Sequence, residues 1–573
     1  VELHEAIARS VTSIYPSSDA DALTAALIKA MGIDPADAKR VAQHSNLWSE
    51  QDAVLVTYGN SVNAKGEAPL ETVTNIFAAH FSSAFNIVHL LPFFPFSSDE
   101  GFSVVNYLEV NQSLGDWQDI ERLTSITRVM ADLVINHVSS RSIWFDQFKR
   151  DELPGRDYFI TPEDSEDLSA VVRPRTTPLL TEVQTRNGLR KVWTTFGPDQ
   201  VDLNFSNPAV LLEMVKVIRY YLDKGIDVFR LDAIAFLWKQ AGTSSINRPE
   251  THELIRLLRT LIEHKQPKSW LITETNLPND QNLSYFGNSN EAHLIYNFSL
   301  PPLLLQGLLA GTSDYLNRWM MSMPPARDGT AYLNFIASHD GIGLRPAEGI
   351  LDEAAISDLV QAVLDRHGRV SWREVAGEPQ PYELNISLYD AFGEVHGAED
   401  EHQMGRFVLA HTIMMGLEGV PAFYIHSLFG TQNDYRRAEA LGHNRAINRH
   451  LWQQEALEAA LANETLHHGK VMRALLQRLQ VRQMQPAFHP NATQYTLLLG
   501  SRLFAFWRQS RDREQSIFCV HNLTKRVQHL SIDSLNLIVG EAWHDLLSDE
   551  PLREGTTKLT LFPYQAVWLT NWF

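Results

Sequence analysis

Three carboxylates follow short apolar runs in this chain: Asp232 after residues 226–231, Glu274 after 270–273 and Asp340 after 332–337. A carboxylate at the end of a buried strand loses its hydration and needs a compensating partner. Arg230, two residues before Asp232, supplies one, and a lone Arg-x-Asp reads first as a buried salt bridge. A fourth run, 128–135, ends in Asp132-Leu-Val-Ile-Asn-His137, so polar residues recur at four strand ends. That recurrence points to one polar mouth rather than four separate ion pairs. Around one sugar, such carboxyls suit glycoside chemistry, in which an ionised group attacks the anomeric carbon and a protonated one serves the leaving oxygen. Arg230 would keep Asp232 ionised, like-charge crowding would raise the pKa of Glu274, and Asp340 would stabilise the reacting sugar. Clustered Asp and His also serve metals, but the sequence has no HExxH run and no Cys/His ligand spacing.

These residues need elements that bring strand ends to one place. Eight β-rich runs, 53–58, 87–96, 128–135, 226–231, 270–273, 294–298, 332–337 and 420–425, alternate with helical stretches. One of the latter, 249–263, carries Leu254, Leu257, Leu258, Leu261 and Ile262 on a single face. This is the pattern of an α/β (β/α)8 TIM barrel, whose chemistry sits at the C-terminal ends of the strands. The expected division is an N-terminal helical extension at 1–50, the catalytic barrel at 51–138 and 208–484, and an insert domain at 139–207 after strand three. A long acceptor-site excursion at 341–401 follows strand seven, and 485–573 reads as an all-β, sandwich-like C-terminal domain. The extension has Ala20, Leu23, Ala26, Leu27 and Met31 at helical spacing, with Pro35 opening a further helix, and is expected to pack outside the barrel.

Composition narrows the partners. Over 573 residues, 49 Lys and Arg against 68 Asp and Glu give a net charge of −19, which disfavours nucleic acid and anionic membrane surfaces. One cysteine, Cys519, precludes an internal disulfide, and no signal-like or membrane-spanning run is present, so a cytoplasmic protein, monomeric or homodimeric, is expected.

The motifs Phe229-Arg-Leu-Asp-Ala233, Glu274, His339-Asp340 and Asp132-x-x-x-Asn-His137 resemble the four signature regions of the α-amylase superfamily, glycoside hydrolase family 13. Leu90-Leu-Pro-Phe-Phe-Pro95, Asp99-x-Gly-Phe102, Arg173-Pro-Arg175, His339-Asp-Gly-Ile-Gly343 and Asn444-Arg-x-Ile-Asn-Arg449 are similar to its sucrose phosphorylase-like branch. The resemblance implies a retaining α-glucosyl phosphorylase that passes glucose from a small α-glucoside to inorganic phosphate through a covalent glucosyl-enzyme. It implies no cofactor and no obligatory metal. Asp232 would be the nucleophile, Glu274 the acid/base and Asp340 the transition-state stabiliser. Asp99 and Arg445 would hold the glucose 4-hydroxyl, His137 and His339 neighbouring hydroxyls, and Phe102 and Phe196 the apolar faces of the ring. Arg175 matches the branch's phosphate-binding arginine.

The leaving group rests on the loop Pro381-Tyr-Glu-Leu-Asn385, where Tyr382 would line the phosphate or leaving-group site. Sucrose phosphorylases of the familiar kind carry glutamine where this chain has Glu383. A carboxylate there accepts hydrogen bonds from a polyol and repels a glycerate carboxylate. Glucosylglycerol is therefore the expected donor, with sucrose second. Glucosylglycerate comes third and requires Arg369 or Arg373 to screen Glu383. A phosphate-independent α-glucosidase or transglucosylase would share the carboxylates without needing Arg175.

Overall fold

The computed structural model describes residues 3–34, 37–39, 46–375, 377–395, 400–535, 537, 542–553 and 555–572. Its centre is a closed barrel of eight parallel strands: β1 Val54–Thr57, β2 Ile87–Leu90, β3 Arg128–Leu133, β4 Val228–Leu231, β5 Trp270–Thr273, β6 Leu294–Tyr296, β7 Ala331–Asn334 and β8 Val420–Tyr424. Each strand pairs with the next in chain order, and β8 closes on β1. The strands are buried almost throughout because helices cover the outside and side chains fill the inside, so apolar runs replace alternation. β2 stops well short of residue 96: Pro92 and Pro95 lack the N–H a ladder needs, and the chain leaves the sheet before them.

Register decides what the mouth contains. Arg230 of β4 lies opposite Asp132 of β3 on one side and Ile272 of β5 on the other. Two residues further along the chain, Asp232 leaves the strand with its N–H bonded to the carbonyl of Leu133.

Two excursions rise over the mouth. After β3, His137–Ser139 pairs antiparallel with Gln200–Asp202, and a hairpin of Leu180–Thr185 and Gly188–Trp193 projects between them in sequence. After β7, the helix Glu353–Asp365 accompanies a three-stranded sheet of Ile342–Gly343, Glu378–Asn385 and Arg369–Val375. Towards the C-terminus, a six-stranded antiparallel sheet and the pair Gln528–Ser531 with Lys558–Leu561 share a small core that includes Phe518, Leu530, Trp543 and Leu561.

The helices Leu3–Ile14 and Ala20–Met31 join the barrel's outer layer. Leu3, Ile7, Val11, Leu27 and Met31 belong to the main core, Ser10 Oγ donates to Glu253 at 2.6 Å, and the Tyr15 hydroxyl donates to the carbonyl of Phe205 at 2.8 Å. Pro35 lies outside the described residues. Among those residues, no helix is long and apolar enough to cross a membrane.

Candidate active site

Asp232, Glu274 and Asp340 line one pocket at the C-terminal mouth of the barrel. Arg230, 3 % exposed, organises its floor. One Nη1 donates to Asp132 at 2.5 Å and to Asp232 at 2.9 Å, while Nη2 stands 4.0 Å from Glu274. Ala233 has a left-handed backbone (φ 48°, ψ 32°) that costs about 1–3 kcal/mol for a residue with a Cβ. This turn aims the Ala233 N–H at Glu274, where the carboxylate accepts it at 2.9 Å.

Burial pushes the carboxyls of Glu274 and Asp232 up to about 7, with Arg230 opposing the rise in both. Neighbouring charge adds to it: Asp232 and Asp340 act on Glu274, and Asp132 and Asp340 act on Asp232. The proton belongs on Glu274. Asp232 accepts a charge-assisted bond from Arg230, whereas Glu274 has only a distant guanidinium and one neutral backbone donor. Burial would raise Asp340 too, but Arg445 at 2.7 Å, with His339, Arg230 and Arg449 nearby, holds it well below the usual carboxylate range. The pocket thus presents two ionised carboxylates and one proton donor.

Apolar surface and neutral polar groups complete the walls. Phe102 stacks on His339 with centroids 5.3 Å apart and planes 9° from parallel. Burial lowers the His339 pKa to about 3, so its ring is neutral, and neither ring nitrogen has a hydrogen-bond partner among the described residues. His137 also lines the pocket, but Nε2 donates to the Phe102 carbonyl at 2.8 Å and Nδ1 lies 3.1 Å from the Asn136 amide. Asp99 is held by Gln200 at 3.1 Å, while the next residue, Glu100, is clamped by Arg437 and Arg449. The insert contributes Phe196 and Arg175, whose guanidinium sits 5.9 Å over the Phe196 ring. The excursion after β7 contributes Arg345 and Tyr382, and the 444–448 turn contributes Arg445.

This arrangement can donate a proton, offer a nucleophilic carboxylate beside a stabilising one, and hold an anion near two arginines. The family model for the α-amylase catalytic domain matches residues 84–335. The glucosylglycerate phosphorylase of Allomeiothermus silvanus is 41 % identical over 526 residues, covering 91 % of this chain and 92 % of that protein. This chain belongs to glycoside hydrolase family 13. It is a glucosyl-transferring phosphorylase. The glucosylglycerol phosphorylase of Marinobacter adhaerens is 29 % identical over 436 residues, 73 % of this chain and 85 % of that protein. In fold, the phosphorylase is similar to the crystal structure of sucrose 6F-phosphate phosphorylase from Thermoanaerobacter thermosaccharolyticum, with a TM-score of 0.73, 23 % identity and 91 % and 99 % of the two chains covered.

Twelve of the thirteen residues singled out in the sequence line the phosphorylase's pocket; Glu383 does not. The expectation that Glu383 meets the leaving group is corrected by its burial, at 1 % exposure, behind Arg445. Nε and Nη2 of Arg445 hold its two oxygens at 3.0 and 2.8 Å, and the Asn385 amide donates to it at 2.8 Å. Its charge is paired with a guanidinium that it shares with Asp340, and both of its oxygens accept hydrogen bonds from within the wall. Arg369 and Arg373 are corrected likewise, since neither lines the pocket of the phosphorylase and Arg373 is bound to Glu348 at 2.8 Å.

Three contributors escaped the sequence reading. Arg345 lines the pocket, Gln200 ties Asp99 to the Phe102 carbonyl at 3.0 Å, and Lys239 lies beneath His137, 2.9 Å from Asp202 and 2.5 Å from Asn136. Lys239 carried a signal, a lone cation seven residues after Asp232 in an apolar stretch. Arg345 carried none, because arginines are common in loops.

Proposed function

We propose that the phosphorylase acts on an α-glucoside of glycerate, transferring glucose to inorganic phosphate and releasing glycerate and α-glucose 1-phosphate. The single observation that carries the choice is the capture of Glu383 by Arg445, which pairs the charge that would repel a glycerate carboxylate and holds it behind the pocket wall. Two cations then dominate the open side of the pocket. Arg175 is in no ion pair among the described residues, and Arg345 shares Glu348 with Arg373, at 3.8 Å against 2.8 Å. Tyr382, Arg175, Arg345 and Glu274 line the same pocket, which supports a role for the arginines beside the leaving group. The 41 % identity to a glucosylglycerate phosphorylase supports the same choice.

The reaction runs in two displacements. Asp232 attacks the anomeric carbon, the bond to the glycerate oxygen breaks, and Glu274 gives that oxygen its proton. The ionised Asp340 faces the positive charge that develops on the ring. In the second step Glu274, now a carboxylate, takes a proton from phosphate as a phosphate oxygen displaces Asp232 from the same carbon. Two inversions leave the α configuration. Arg175 makes phosphate the acceptor by binding it where water would otherwise enter.

The test is formation of α-glucose 1-phosphate from glucosylglycerate, glucosylglycerol and sucrose in parallel, each with and without phosphate. Glucosylglycerate should lead the others in kcat/KM by about 10–100-fold, the worth of one or two charge-assisted hydrogen bonds. A lead for either neutral donor overturns the assignment of glycerate, and free glucose formed at a phosphate-independent rate overturns phosphorolysis.

A further inference from the structure

Away from the active site, a second cleft opens between the barrel's outer layer and the C-terminal sheets. It is lined by the end of the helix Leu300–Ala310, by Arg366, Glu394 and Arg406 from the region after β7, and by Arg502, Lys525, Arg526 and Tyr564 from the C-terminal region. Five cations line this cleft in a chain of net charge −19.

The bland account is that these cations cap local negative charge. Among the described residues, that charge includes Glu394 in the lining, Asp400 paired with Arg406, Asp365 in the field of Arg366, Glu401 paired with His402, and the carbonyl end of the helix Leu300–Ala310, equivalent to about half an electron. Within the lining itself, five cations face the single acid Glu394. The unpaired positive charge is concentrated on Arg502, Lys525 and Arg526, all exposed and none in an ion pair among the described residues.

The two inner arginines are rigid. Arg366 donates from Nε to the Gly393 carbonyl at 2.6 Å and from Nη1 to the Ala362 carbonyl at 2.9 Å. Arg406 donates from Nε to the Phe392 carbonyl at 2.8 Å and lies 5.2 Å under the Tyr564 ring. Tyr564 has a left-handed φ of 54°, unusual for a bulky side chain, and its N–H is tied to the Thr524 carbonyl at 3.2 Å, which fixes one wall. A hydrogen-bonded basic floor with exposed cationic side chains at its rim is the form of a small-anion site.

We propose that this cleft binds a phosphate group, either inorganic phosphate or a sugar phosphate. At neutral pH a phosphate monoester carries about −1.5 to −2 charges, opposite in sign to the unpaired rim cations, and its three oxygens can engage several donors at once. The site is separate from the phosphate position at Arg175, and it does not depend on which group leaves in the reaction.

The test is equilibrium dialysis of radiolabelled orthophosphate and, separately, α-glucose 1-phosphate. It compares the Asp232→Ala enzyme, in which turnover is blocked, with the same enzyme also carrying Arg502→Ser, Lys525→Ser and Arg526→Ser. These three side chains are exposed and their loss leaves the fold intact, which a thermal unfolding scan of both proteins checks. One class of site should weaken by about tenfold or more in the rim variant, while the rim substitutions in an otherwise native enzyme leave initial phosphorolysis rates unchanged. Tighter binding of one ligand than the other at the lost class identifies the occupant. Superimposable isotherms for both ligands with and without the rim cations would overturn the site. If Arg175 does not bind phosphate, the class that remains in the rim variant is missing, so failure of that role is seen separately.

Discussion

Arg445 joins Asp340 to Glu383: its Nη1 lies 2.7 Å from one carboxylate, and its Nε and Nη2 hold the other at 3.0 and 2.8 Å. One guanidinium therefore keeps the stabilising carboxylate ionised while being fixed from behind by a buried acid. Glu383 would then act through Arg445, as a positioning residue.

Glu383→Gln is expected to lower kcat/KM for every donor by a similar factor, about 10–100-fold, without changing their order. Breaking a buried ion pair from one side costs about 3–5 kcal/mol, so the midpoint of thermal unfolding should drop as well. Parallel kinetics on glucosylglycerate, glucosylglycerol and sucrose read this directly. A change of preferred donor with an unchanged midpoint would place Glu383 against the leaving group after all.

Arg345→Ala should raise KM for glucosylglycerate by about 10–100-fold and leave glucosylglycerol almost unaffected, because only the former carries a charge to lose. Equal effects on both donors would make Arg345 a structural residue.

Arg175→Ala should shift the product ratio from α-glucose 1-phosphate towards glucose, as water gains access to the glucosyl-enzyme. Product analysis at fixed phosphate concentration checks it, and an unchanged ratio would remove Arg175 from phosphate binding.

Asp232→Ala should cut turnover by about four orders of magnitude or more, as loss of a covalent nucleophile does. Thermal unfolding of the variant guards against misfolding, and residual activity above about one per cent would point to another nucleophile.

pH dependence follows from Glu274. Its carboxyl is pushed up to about 7 by burial, so the proton needed for cleavage is lost as pH rises through 7, and kcat/KM for the donor should fall on that limb. The acid limb belongs to ionisation of Asp232. Stability has the same sign as the alkaline limb. A folded pKa above the unfolded value of about 4.5 gives a contribution complete below pH 4.5 and lost as pH rises through 7, up to about 3 kcal/mol. Glu274→Gln should therefore unfold at a higher temperature than the native enzyme at pH 8, with a smaller difference at pH 5; a difference independent of pH would contradict the raised pKa.

Local patterning determined the barrel and the three carboxylates at its mouth. A buried parallel strand must be a short apolar run, and a charge placed just past its end has nowhere to go but the mouth, so Asp232, Glu274 and Asp340 were legible from spacing alone. The N-terminal helices showed their apolar positions, but not the barrel helix they would pack against.

Only the tertiary structure decided how the charges pair. Glu383 and Arg445 are 62 positions apart, and nothing in either segment tells which cation will neutralise which acid. The same holds for Arg345, which shares Glu348 with the closer Arg373, and for Gln200, which reaches 101 positions back to Asp99. What a charge visible in the sequence can do to a substrate depends on the partners the fold gives it. The balance between desolvation and Coulomb attraction that settles this depends on distances of a few ångströms between segments remote in the chain.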